Sequence, residues 1–130
     1  MSTSNQLRVS LFFLVFACLN ISQDLQAQAI NVASIEIHND LPPGSQFYFI
    51  SVFQRDKYLL QPGQTYTKVI NLDAQDCRMV YDNVCAKLFL YDPKIDLGHN
   101  SVFWSVRRDG VYKSWDNNNW DKKTGWGKIC

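Results

Sequence analysis

The stretch Val102-Phe103-Trp104-Ser105-Val106-Arg107-Arg108-Asp109-Gly110-Val111-Tyr112-Lys113-Ser114-Trp115 decides the fold. Val102–Val106 is rich in β-branched and aromatic residues, which suit a pleated, half-buried surface. Asp109-Gly110 is the dipeptide that best closes a two-residue hairpin, because glycine accepts positive φ without steric cost. Val111–Trp115 then returns as the partner strand. The segment therefore predicts two antiparallel strands.

The same signals extend in both directions. Ile35 and Ile37 alternate with Ser34, Glu36 and His38 and define a first strand. Asp40-Leu41-Pro42-Pro43-Gly44-Ser45 ends it, since neither proline donates to a ladder. Phe47, Phe49 and Val52 define one face of a second strand. Tyr48, Ile50 and Phe53 are apolar as well, so that strand reads as covered on both faces. Arg55-Asp56-Lys57 is a turn before the short strand Tyr58-Leu59-Leu60, and Gln61-Pro62-Gly63-Gln64 is another. Thr65–Leu72 alternates, with Tyr66 and either Val69 or Ile70 inward. Arg78–Tyr81 and Ala86–Tyr91 form a hairpin around Asp82-Asn83, and Asp92–Asn100 is a polar loop. Asp116–Asn119 and Lys122–Gly125 read as turns flanking Trp120. Helical periodicity is almost absent. The sum is a small all-β antiparallel sandwich of about eight strands.

The chain has 130 residues and a formal net charge of +1. So small an excess points to neither nucleic acid nor a membrane surface as partner. Residues 1–29 read as a secretory signal peptide. Arg8 supplies the positive flank, Leu11–Leu19 the short apolar run, and Ala27-Gln28-Ala29 the small-x-small cleavage signal. Cleavage is expected after Ala29 or after Ala27. The apolar run is shorter than the roughly 20 residues of a membrane-spanning helix. Residues 30–130 then make one extracellular domain of roughly 100 residues, with no membrane-embedded segment.

Of the four cysteines, Cys18 leaves with the leader. Cys77, Cys85 and Cys130 remain, an odd number in an oxidising compartment. One bridge and one thiol is the simplest outcome. Pairing Cys77 with Cys85 closes a short loop, and pairing either with Cys130 closes a long one. The third thiol is available for pairing between chains. Scattered as they are, the three lack the paired close spacing of a zinc site.

An ordered set of motifs runs through the domain. Asn39-Asp40-Leu41 follows the first strand, and Leu60-x-Pro62-Gly63-Gln64-x-Tyr66 comes next. Leu90-Tyr91-Asp92 and Trp104-Ser105-Val106-x-x-Asp109-Gly110-Val111-Tyr112 complete it. In this order the sequence resembles the plant self-incompatibility S1 proteins, also called S-protein homologues. The resemblance implies a secreted β-sandwich with stabilising disulfides and no known catalytic activity, whose founding members are ligands of a pollen membrane protein. The sequence departs from that pattern in its cysteines. Gln46–Arg55 contains none, and none immediately precedes Trp104. Cys77 sits where a family cysteine is expected, whereas Cys85 and Cys130 are particular to this chain, so the family's bridges do not transfer.

Enzymatic readings rest on few residues. His38 and His99 with a lysine would suit a nuclease acid/base pair, but one lies at a strand end and the other in a polar loop. Asp92, Asp96, Asp116 and Asp121 read as solvated turn residues rather than glycosidase carboxylates. Asp116–Asp121 lacks the glycine and distal glutamate of a calcium loop. No cofactor or metal is expected. Trp104 and Trp115 are expected in the core, whereas Trp120 and Trp126 are candidates for a sugar-stacking surface. Partner contacts are expected on the loops, through Asp40, Leu41, Asp96, His99, Arg107, Arg108, Asp109, Asn117 and Asn118. The arginines would donate to a partner carboxylate. The sequence therefore reads as a secreted recognition protein that binds a membrane receptor or another cell-surface protein. A small hydrolase (ribonuclease or glycosidase) and a sugar-binding module are the alternatives.

Overall fold

The computed structural model describes residues 31–130. The expected signal peptide lies outside the described residues, as does Cys18. Two sheets face each other. The first holds five strands in the order β4 (Thr65–Asn71), β1 (Val32–Asn39), β7 (Ser101–Arg107), β8 (Gly110–Ser114), β9 (Asp121–Thr124). The second holds four, in the order β3 (Tyr58–Leu59), β2 (Phe47–Ser51), β5 (Gln75–Tyr81), β6 (Val84–Tyr91). The expected all-β sandwich is present. One short helix, α1 (Pro93–Asp96), interrupts the loop before β7.

Alternation explains the layering. Ile35 and Ile37 on β1 pair with Val102 and Trp104 on β7 and point inward with them. Phe47 and Phe49 on β2, Met79 on β5 and Leu90 on β6 meet them from the other sheet. Each such side chain contributes about 1.5–3 kcal/mol by leaving water. Trp104 also ties the layers through a polar contact, its Nε1 donating to Leu90 O at 3.1 Å.

The pairing differs from expectation at one place. β1 and β7 run parallel, although every other pair is antiparallel. Residue alternation carries no information about strand direction. Here the chain leaves β1, builds β2–β6, and returns to the centre of the first sheet in the same sense. A second difference is Lys122–Thr124, read as a turn but forming most of β9, which pairs with β8 through a bulge. On the second strand, Val52 is 57% exposed and Ser51 takes the inward position. On β4, Ile70 faces in and Val69 out.

The C-terminal segment crosses from β9 to the other sheet. Gly127 exchanges two backbone hydrogen bonds of 2.8 Å with Cys85, and Cys85 is bridged to Cys130. The long loop is therefore the one that closes. Cys77 is the free cysteine among the described residues and is buried.

Candidate functional site

Parallel pairing of β1 with β7 sets which loops share an end. Asn39 stands opposite Val106, so the β1–β2 loop beginning at Asp40 lies beside the β7–β8 turn at Arg108-Asp109. The α1 region and the β8–β9 loop lie at the opposite end, where Ser34 N donates to Asn100 O at 2.9 Å. The expected contact residues are thus divided. Asp40, Leu41, Arg107, Arg108 and Asp109 gather at one end, and Asp96, His99, Asn117 and Asn118 at the other.

At the first end the outer face of the sheet carries a connected polar and aromatic group. Arg107 lies across the face with its guanidinium 4.1 Å from the Tyr112 ring centre and 5.4 Å from that of Trp120. Its Nε donates to Ser105 Oγ at 3.0 Å, and Ser105 Oγ donates to Asp40. Among the described residues its two terminal nitrogens donate to no oxygen. Cation–π contact on two rings and a fixed Nε hold the fork in one orientation.

Beside it, Tyr112 donates its hydroxyl to Asp109 at 2.6 Å, and Lys122 stands 3.8 Å from the same carboxylate. The Tyr112 hydrogen bond is the main reason the Asp109 carboxyl lies below its usual range, and the same bond holds the Tyr112 phenol above its own. Arg108 is exposed. Leu41 is only 5% exposed and packs in the core, so it anchors the loop from within.

At the other end Asp96 is fully buried. Its Oδ1 takes Trp115 Nε1 at 2.8 Å and Lys113 Nζ at 2.5 Å, and its Oδ2 takes the Asp92 backbone N–H at 2.8 Å. Asp96 is therefore an internal organiser of its loop rather than a solvated turn carboxylate. The expected core position of Trp115 is also revised. That ring is 44% exposed and stacks on His99 at 3.8 Å. Strand alternation does point Trp115 to the core side, but β8 ends at Ser114 and the ring emerges past the sheet edge.

Asn117 takes a left-handed φ of 59° in the β8–β9 loop. Asp116 Oδ1 accepts from the N–H groups of Asn118 and Asn119 at 2.9 and 2.7 Å. These bonds, that from Asn119 first, set the Asp116 carboxyl well below the usual range. The aspartate is therefore engaged in closing its own turn. No group of three or more His, Cys, Asp or Glu side chains forms a metal cage among the described residues.

His38 and His99 are not brought together. His38 Nδ1 lies 2.9 Å from Thr65 Oγ1 on the outer face of β1 and β4, whereas His99 is packed on Trp115. Trp126 also differs from the other tryptophans, donating Nε1 to Arg107 O at 2.9 Å and packing edge-on against Tyr81. It belongs to the closure of the sandwich. The signal that sequence reading missed is the pairing of Lys113 with Asp96, seventeen positions apart and on elements whose contact no periodicity reveals.

Comparison with known proteins gives structural likeness and no sequence relative. No family model matches the chain, and no curated protein does. Among solved structures, the chain is similar to one described as that of SPH (self-incompatibility protein homologue) proteins, "a widespread family of small, highly stable, secreted proteins from plants". The TM-score is 0.62 at 16% identity, over 74% of this chain and 95% of that one. The sandwich expected from the sequence resemblance is thus the fold of that protein. Among the described residues, no helix is long and apolar enough to cross a membrane.

Proposed function

We propose that the chain is a secreted recognition protein of the self-incompatibility homologue family, and that it binds a protein of the cell surface through the outer face around Arg107. The fold likeness and the leader-like residues 1–29 support the first part. The second part rests on one observation: a guanidinium stacked against Tyr112 and Trp120, fixed at Nε, with its terminal fork unused. A planar fork held in place loses little freedom on meeting a carboxylate, and it selects a bidentate partner. Arg108 and the neighbouring Asp109–Lys122 pair supply a polar rim, as protein interfaces commonly have.

The test is saturable binding of the labelled mature protein to intact plant cells, with a photo-crosslinker placed at Arg108. The expected result is capture of one membrane protein. Arg107→Ala and Arg107→Lys would each weaken binding at least tenfold while the thermal transition stays in place. Absence of saturable binding, or full binding by both variants, would overturn the proposal.

A further inference from the structure

At the end opposite the β7–β8 turn, a cleft of about 260 Å³ opens beside the β8–β9 loop. Its walls include Trp115, Trp120, Lys113, Asn119, Asp121 and Lys123. Each indole is supported by a group that does not line the cleft. His99 lies flat on Trp115 at 3.8 Å and 9°, and the Arg107 guanidinium lies over Trp120 at 5.4 Å. The Trp115 N–H is already engaged by Asp96. What that ring offers the cleft is its apolar face, in a fixed position.

The polar groups are balanced. Lys113 is 6% exposed and paired to Asp96, and Lys123 stands 3.5 Å from Asp121. An ammonium has three donors, and Asp96 is the one carboxylate paired with Lys113 among the described residues. Lys113 and Lys123 thus bring N–H donors, Asp121 brings acceptor oxygens, and the Asn119 amide brings both. Their charges cancel. A ligand that both donates and accepts, carries no charge and has a flat C–H face matches this wall. An anion would meet Asp121 and the neighbouring Asp116. The volume falls below the roughly 300–1,000 Å³ of drug-sized sites, in keeping with one or two rings.

We infer that this cleft is a binding site for a neutral saccharide, with a pyranose ring stacked on an indole and its hydroxyls meeting Asn119, Asp121 and Lys123. Trp120 is shared with the receptor proposal. Asn119, Asp121 and Lys123 lie outside the Arg107 group, so Asn119→Ala separates a failure of this inference from a failure of that reading.

The test uses the mature protein with ¹⁵N-labelled indoles, titrated with cellohexaose, xylohexaose and mannohexaose at millimolar concentration. An anionic oligogalacturonide serves as the contrast. The expected result is a saturable shift of the Trp115 and Trp120 indole signals with at least one neutral probe, while those of Trp104 and Trp126 stay still. Asn119→Ala and Trp120→Ala would each raise the apparent Kd at least fivefold, and the unchanged Trp104 signal would report an intact fold. No shift with any neutral probe would overturn the inference. So would a response to the oligogalacturonide alone, or unchanged affinity in both variants.

Discussion

Lys113 Nζ meets Asp96 Oδ1 at 2.5 Å in the interior, where the two side chains are 6% and 0% exposed. The ammonium also lies 5.6 Å from the Trp104 ring centre and 5.8 Å from that of Trp115. One ion pair thus joins the inner face of β8 to α1 and orients the exposed indole. The lysine occupies a position opposite Trp104, where strand alternation demands a core residue. A buried cation there is tolerable only because the loop returns a carboxylate to it.

Removing one member should therefore cost far more than a surface pair would. Lys113→Met is expected to destabilise by about 3–5 kcal/mol, because it leaves Asp96 buried without its cation. Asp96→Asn should cost a similar amount for the opposite reason. In a double-mutant cycle read by urea unfolding, the paired change should fall short of the sum by about 0.5–3 kcal/mol. A loss below about 1 kcal/mol in Lys113→Met would contradict this account.

The contrast between Lys113 and Gly110 marks what the sequence makes legible. Asp109-Gly110 announces a hairpin, although the two-residue turn is Arg108-Asp109 and Gly110 opens β8 opposite Arg107. Ile35, Phe47, Phe49 and Trp104 announce their faces through a two-residue period. Partner choice is different. The parallel β1–β7 pair, the bridge between Cys85 and Cys130, and the Lys113–Asp96 contact all depend on which elements meet across long separations. Trp115 leaves the core because alternation gives the side of a strand but not where the sheet ends. Arg107 was legible as a charge on a hairpin, whereas its aromatic seat depends on Trp120, thirteen residues on and across β8.

Gly110 itself carries a steep local prediction. Its φ is +154°, and an added Cβ would stand 2.3 Å from the Thr124 carbonyl oxygen, a backbone atom. Gly110→Ala must therefore push β9 off β8. Strain of this kind costs about 1–3 kcal/mol, with further loss from the broken ladder. Amide exchange should accelerate across Asp121–Thr124 while β5 and β6 remain protected. Uniform protection in the variant would refute the steric argument.

The bridge should stabilise mainly by restricting the unfolded chain. Cys85 and Cys130 are 45 positions apart, and closing a loop of that length is worth about 4 kcal/mol in the chain-entropy model. Replacing both by Ser should lower the urea midpoint accordingly. The Gly127–Cys85 backbone bonds and the Trp126 contacts remain, so the native strand signature in the far-ultraviolet spectrum should persist. An unchanged midpoint would mean that the C-terminal segment constrains nothing.

Cys77 faces the core from β5 and is 2% exposed. Burial, aided by the neighbouring Asp76 charge, pushes its thiol far above the ordinary range. Two outcomes follow. In the native protein a thiol reagent at pH 8 should label no residue of the domain, and in denaturant it should label one. The unfolded thiol, by contrast, ionises near pH 8.5. The native state then retains a proton that the unfolded state releases, and stability must fall as pH rises past that point. The slope contributed by this one group approaches about 1.4 kcal/mol per pH unit. Cys77→Ala should remove that component of the decline between pH 8.5 and 10. Identical pH profiles for the two proteins would show that the thiol titrates equally in both states, and that the inner face of β5 is open to water.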